Sequence, residues 1–432
     1  MSFATTPRYW AVAPALLFLA ACTSAPVLNP TTVTLETRLY RTGAPQNLPW
    51  VAYQDGDGRW QALSGQGGRY AFSVRDPGGR YALAVVCTNP ALQNARIQIV
   101  HATVKELSTP AVNCLFPRNS TEVRTVSGKV SHFGDADWAI VQVTGSGSVD
   151  GPEAANPGYS VEAGPGSQRL VALAQRRYGH DTNPWASRAL LKNLELSDNL
   201  SLDLSFQDPA TQTQPHTVTL EGAGGDAVIQ DTKFHHPANV YNPDLGSGLR
   251  GASSHLYGGI PEAWQLPEDA HMAYAEAYVP GEGRGRSTTT TFKAPRDLTL
   301  VLLPHLGPVE VRPEAPAGSL ARYRFTWEPY AADLYFAEVS DLATGGNRWQ
   351  ALVTPGWLRG AEYHTPDLSA APGWNPAWNL SPASPRSMAR LEAVRASRSV
   401  NEAVQLSALN FPGHLADGLV WQSASRVVGL GQ

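Results

Sequence analysis

Apolar and polar residues alternate with a period of two through most of the chain, which predicts strands rather than helices. From Thr31, Val33 and Leu35 alternate with polar neighbours, and Leu39 resumes the series after a slip. Trp50–Tyr53 and Trp60–Leu63 flank Asp55-Gly56-Asp57-Gly58. Asp-Gly between two such runs signals a hairpin, because tight primed turns need a positive φ that glycine accepts. Tyr70–Val74, Tyr81–Cys87 and Arg96–Val104 follow, the first two parted by Asp-Pro-Gly-Gly. A second group comprises Val126–Val130, Trp138–Val143, Tyr159–Ala163, Arg169–Arg177 and Leu200–Phe206, at sandwich-like spacing. His216–Gly222 and Ala227–Phe234 read as strands, Pro237–Asp269 has no period, and His271–Val279, Ser287–Ala294 and Asp297–Pro304 restore it. An irregular stretch that long is unusual in a compact body, so short strands or helical turns are expected inside it. Tyr323–Pro329, Ala332–Asp341 and Arg348–Val353 are strand-like, and a Trp- and Pro-rich excursion covers 354–385. The spacing of Met388, Leu391 and Val394 also suits a helix, but Ala389–Ser397 is assigned to a strand on context.

Composition agrees with this pattern. The chain has 432 residues, 39 Gly and 34 Pro, with only 16% charged residues, below the usual quarter. Disorder is excluded by 42% hydrophobic residues and 12 Trp, which call for packed cores. The expected fold class is all-β: tandem β-sandwich domains of immunoglobulin-like or transthyretin-like kind. The expected segments are 31–118, 119–208, an irregular β domain at 209–306, and 307–432. A charge of −4, with no basic block or stripe, gives nucleic acid nothing to bind, and none is expected as a partner.

The N-terminus carries an address. Arg8 precedes the uncharged run Trp10–Leu19, which ends in Leu19-Ala20-Ala21-Cys22. A basic start, an apolar run too short to span a bilayer and a small-residue cleavage site make an export signal. Leu19–Cys22 resembles the lipobox of bacterial lipoproteins. That resemblance implies a signal peptide over 1–21, cleavage before Cys22, lipid on Cys22, and a tether over 22–30. It also implies a cell-envelope protein whose partner is the membrane, reached through the lipid. Thr23 in place of Asp resembles the outer-membrane sorting pattern of enteric lipoproteins. Of three cysteines, Cys87 and Cys114 remain, and an even pair in an oxidising compartment is expected as a disulfide. Closing that loop would add about 3.5 kcal/mol in the chain-entropy account.

Two modules resemble known families. Val126-Ser127-Gly128-Lys129-Val130, then Tyr159-Ser160-Val161 and Leu170–Ala174, resemble the carboxypeptidase regulatory-like domain, a small transthyretin-like sandwich. The family's Pro-Pro-Gly-x-Tyr is here Gly164-Pro165-Gly166-Ser167-Gln168, without the tyrosine. Tyr323–Pro329, Ala332–Asp341 and Arg348–Val353 resemble strands B, C and C′ of a fibronectin type III module, with Trp327 and Pro329 copying its core Trp-x-Pro. The carboxypeptidase regulatory-like resemblance implies an accessory or adhesive sandwich without catalytic residues.

Catalytic motifs are scarce. There is no Gly-x-Ser-x-Gly elbow, His-Glu-x-x-His pair, phosphate loop or dinucleotide glycine pattern, so no enzyme and no cofactor are expected. Asp55 and Asp57 begin a calcium-loop pattern, but Arg59 and Gln66 stand where further ligands belong, so the turn is preferred. His235, His236, Asp244, His255, Asp269 and His271 cluster around the irregular stretch. Adjacent histidines on a strand face opposite ways, so metal binding is not expected. His101 is expected as a half-buried core neighbour. Trp349, Trp357, Trp374 and Trp378 are the candidate ligand-binding residues, since tryptophan faces suit sugar rings and proline-rich peptides. The expected role is lipid-anchored, non-enzymatic binding, adhesion or scaffolding, with envelope polysaccharide or protein as partner. The rivals are a carbohydrate- or solute-binding lipoprotein, marked by coplanar exposed Trp faces, and a hydrolase of envelope polymers using the histidine-bearing loop.

Overall fold

The structure, a computed structural model, describes residues 31–39, 45–89, 94–114, 123–144, 149–175, 184–236, 242–314, 322–341, 346–380, 387–406 and 417–430. The signal 1–21, Cys22 and the tether 22–30 lie outside the described residues. The fold is all-β: among the described residues there are 29 strands, three 3-10 turns and one helix, Val400–Leu406. None of these helices is long and apolar enough to cross a membrane.

A twelve-stranded sheet is the backbone of the molecule. It starts at Asp244–Ser247 and passes through Ala227–His235, Ala270–Val279 and Arg284–Phe292. It continues through Val420–Gly429, Ser387–Ala396, Leu334–Asp341 and Arg348–Val353. There it joins Asn94–Thr103 in parallel, with Arg348 opposite Arg96 and Val353 opposite His101. Arg80–Asn89, Trp50–Asp55 and Gln61–Ala62 complete it.

Small sheets cover both faces of one end. On one side lies the sheet of Arg69–Val74, Thr31–Leu39 and Ala111–Cys114; on the other that of Val309–Glu314, Arg322–Trp327 and Glu362–His364. The uninterrupted apolar run Tyr81–Cys87 follows from this layering. Leu83 and Val85 pack with Val33, Leu35 and Phe72, while Ala84 and Val86 face the opposite core with Phe325 and Trp349. A strand buried on both faces loses the alternation that a half-exposed strand shows. Leu170–Ala174 repeats the device, with Ala172 inside the 119–208 sandwich and Val171 and Leu173 in the core of the following segment.

Strand pairing joins 31–118 to 307–432 and crosses the boundary drawn at 306. Segments 31–118, 209–306 and 307–432 share one sheet, whereas 119–208 has a sandwich and core of its own. Trp327 is buried. The Asp-Gly hairpin forms with Gly56 at φ +52° and the Gly58 N–H donating 2.9 Å to the Asp55 carbonyl. Two strands, Asp244–Ser247 and Ser254–Gly259, and a 3-10 turn, Glu262–Trp264, occupy the irregular stretch. Ser387–Ala396 is a strand, locked between two antiparallel neighbours. Cys87 is buried between the large sheet and the Thr31–Leu39 sheet, and the Cys114 side chain lies outside the described residues, so the expected pairing does too.

Candidate functional site

Where the first and last segments meet, a cleft of about 560 Å³ opens beside the parallel junction. Its floor grows from the strand Asn94–Thr103. Ile97, Ile99 and His101 share one face by the two-residue period, and His101 extends the apolar row. It is 3% exposed, fully rather than half buried, and burial pushes its pKa down to about 3, so the imidazole is neutral. Its Nδ1 has no hydrogen-bond partner among the described residues.

One residue pair further along, Thr103 anchors the wall. Its hydroxyl donates 2.7 Å to Glu106, whose carboxylate also accepts from the Thr354 hydroxyl at 2.5 Å and the Gly356 N–H at 2.9 Å. The Thr354 N–H bonds the His101 carbonyl at 2.9 Å. A carboxylate from the first segment thus staples a turn of the last. A Cβ on Gly356 would sit 2.6 Å from the Glu106 carboxylate, so a larger residue there would push that side chain aside. The turn sets Trp357 face to face with His101, ring centroids 4.5 Å apart and planes 5° from parallel. Glu106→Ala is expected to cost about 1.5–3 kcal/mol, the worth of hydrogen bonds to a charged acceptor. Chemical denaturation followed by tryptophan fluorescence checks this; an unchanged midpoint counts against the staple.

Tyr363 closes the floor from the strand Glu362–His364. It lies 5.5 Å from the His101 ring and 6.1 Å from Phe325. Its hydroxyl is buried without a partner among the described residues, and burial raises its pKa far above the ordinary value. The rim is ionic. Asp57 holds Arg80 at 2.9 Å and Arg359 at 2.7 Å, and the Arg80 guanidinium lies 5.8 Å from the Trp357 ring centroid. His364 stands between Glu314, at 2.7 Å, and Glu362, at 2.5 Å. Hydrogen bonds from His364 and then Arg324 hold the Glu362 carboxyl below its ordinary pKa.

Trp357 is thus the one candidate tryptophan at the cleft. Trp349 is 2% exposed in the core. Trp374 and Trp378 meet edge to face, 5.4 Å apart at 82°, and Trp374 crosses Trp50 at 5.2 Å and 73°. Their polar ends are internally satisfied at Trp50 and Trp374: Trp50 Nε1 donates to Pro372 O and Trp374 Nε1 to Asn379 Oδ1. Rings packed perpendicular to one another cover a core and do not form a stacking groove. Sequence reasoning missed His101, Tyr363 and Glu106, because residues 101 and 363 become neighbours only through the parallel junction.

The histidines of the irregular stretch are spread through the third segment. His236 Nδ1 is 2.6 Å from Asp269, which is 0% exposed, accepts the Leu266 N–H at 2.7 Å and lies 3.7 Å from Arg169. His271 donates to the Lys293 carbonyl at 3.0 Å and accepts the Ile260 N–H at 3.1 Å. His255 meets the Thr232 hydroxyl at 2.9 Å. His235 bonds Asn242, and Asp244 pairs with Lys233 at 3.6 Å. Among the described residues no group of three His, Cys, Asp or Glu is placed to hold a metal ion.

No known protein family matches the chain, and no curated protein does. Among solved structures it is similar to the Bacillus anthracis TIE protein, at 7% identity and a TM-score of 0.16. The likeness covers 63% of this chain and 50% of that one, and carries no argument.

Proposed function

We propose that the chain is a lipid-anchored cell-envelope protein with a non-enzymatic binding or scaffolding role. The address rests on Leu19-Ala20-Ala21-Cys22 after an uncharged run, a pattern that would place diacylglycerol on Cys22. The binding role rests on the cleft, and the observation that carries it is the Trp357–His101 stack at its floor. Arg80, Arg322 and Arg359 line the cleft together with Asp57, Glu362 and Asp367, three of each sign. Charges neutralised by one another supply fixed donors and acceptors for recognition.

Cys22→Ser is expected to move the protein from the membrane pellet to the soluble fraction, because acylation is lost and one residual signal cannot hold it. Retention in the pellet sinks the anchor. The same soluble form, incubated with isolated cell-wall and membrane fractions, is expected to show saturable retention by one of them. Chemical change of the fraction instead of retention would move the assignment to a hydrolase.

A further inference from the structure

We infer that the cleft takes an extended peptide of alternating apolar and polar residues, added as a fourth strand beside Glu362–His364. This deepens the binding role proposed above and rests on it. Glu362–His364 is an end strand of its three-stranded sheet and pairs only with Arg322–Trp327 among the described residues. The Trp327 N–H donates 3.1 Å to the Ala361 carbonyl and the Thr365 N–H donates 2.9 Å to the Tyr323 carbonyl, with Tyr363 opposite Phe325 between them. Residues 361, 363 and 365 therefore direct their main-chain groups at that neighbour, and by alternation Glu362 and His364 direct theirs away from it. No hydrogen bond among the described residues uses these outward N–H and C=O groups. They are not sealed off, since both residues are part-exposed. Residues 362–367 line the cleft without a break, whereas only Arg322 of Arg322–Trp327 does, so the cleft lies on the open side of the strand.

The opposite edge of the same sheet is closed to such pairing. In Val309–Glu314 the residues opposite Arg324 and Thr326 are Arg312 and Glu310, so Val309, Val311 and Pro313 present the outer edge. Pro313 has no N–H to offer there, and proline is a common way to blunt an edge. The Glu362–His364 edge instead stands open along a cavity of about 560 Å³. Beneath it Gln54, Arg80 and His101, on three adjacent strands of the large sheet, continue a floor over which the smaller sheet has no further strand among the described residues. The outward groups recur every two residues, about 6.8 Å, which is the repeat of an extended chain. Strand addition takes affinity from such main-chain bonds and selectivity from side chains on alternate faces. One face of the added strand lies with Glu362 and His364 beside Arg324 and Glu314, and calls for polar residues. The other lies with Tyr363 toward half-buried Trp60 and Leu358, and calls for apolar ones. Leu358 and Arg359 before the strand, and Pro366 and Asp367 after it, also line the cleft. A single chain can enter between them where the edge of another folded sheet cannot.

The test uses the full-length chain in detergent and isothermal calorimetry. The probe is an end-capped octapeptide alternating Val and Thr, with two further versions N-methylated at every other amide, in one phase or the other. Each methylated version lacks the donors of one edge only. Saturable binding of the parent is expected, lost in one phase and kept in the other, because an added strand uses the donors of a single edge. His364→Pro removes one outward N–H and leaves the bonds to Arg322–Trp327 in place. It is expected to weaken binding roughly tenfold while the melting temperature holds. Residue-resolved hydrogen exchange is expected to show Tyr363 protected throughout, and Glu362 and His364 protected only when the peptide is present. No binding of the parent, or methylated versions that bind alike, overturns the inference. So does protection of Glu362 and His364 before peptide is added, since another segment of the chain or a second copy then holds the edge. If the same preparation is still retained by an envelope fraction, the proposed function stands without this ligand; loss of both sinks the two together.

Discussion

Lowering the pH from 7 to 5 is expected to remove on the order of 4 kcal/mol of folding stability. Burial pushes His101 down to about 3 and His255 and His271 to about 4, from an ordinary value of 6.5. All three are almost completely buried. Each imidazole stays neutral in the fold and takes up its proton only on unfolding. Below the ordinary histidine pKa the unfolded chain therefore binds more protons, and stability falls as pH falls until the folded-state values are reached. Each group contributes about 1.4 kcal/mol per pH unit through that window. Asp231 acts in the opposite sense: burial, foremost, raises it to about 6, so the folded state gains a proton first and recovers about 1 kcal/mol. Urea titrations at pH 7, 6 and 5 give the result directly. A free energy that stays level across the series means that these imidazoles are not held neutral by the fold.

Asp269→Ala is expected to cost about 3–5 kcal/mol, the usual penalty for stranding one member of a buried ionic group. Arg169, on the strand Gly166–Gln175, reaches from the 119–208 sandwich into the following segment. There it bonds Trp264 O and lies beside Asp269, which also holds His236 and the Leu266 N–H. Removing the carboxylate leaves a guanidinium at 7% exposure without its anion. The double variant Arg169→Met/Asp269→Leu is expected to regain much of the loss, because two apolar residues replace the stranded charge. Equal midpoints for wild type and Asp269→Ala would show that the group carries no stability, and a double variant no better than the single would assign the loss to packing.

The candidate site was legible only in part. Trp357 stood out as a tryptophan in a Trp- and Pro-rich excursion, but so did Trp374 and Trp378, and residue type alone does not separate a core lid from a cleft wall. Their ring angles separate them, and ring angles follow from packing. His101 looked like a neighbour of a core strand because it continues the Ile97–Ile99 row. That its edge would meet Trp357 and Tyr363 depends on Val353 pairing with His101 across a separation no local window spans. The histidines around the irregular stretch looked like one cluster in sequence, yet each is consumed by a different partner: Asn242, Asp269, Thr232, or the Lys293 and Ile260 backbone.

Local chemistry was sufficient for the class of fold. Period-two alternation, β-branched and aromatic enrichment and Asp-Gly or Gly-Pro turns act over a few residues, so they place most strands whatever the rest of the chain does. Segmentation was another matter. Tyr81–Cys87 and Leu170–Ala174 are apolar on both faces, a hint that each strand serves two cores, but apolar runs do not say which partner covers them. The sharing of one sheet by segments 31–118, 209–306 and 307–432 was decided by long-range pairing, above all the parallel contact of Arg348–Val353 with Arg96–His101. Backbone hydrogen bonds are blind to side-chain identity, so a register between distant strands is selected by the burial it achieves, and that burial exists only once the tertiary structure has formed.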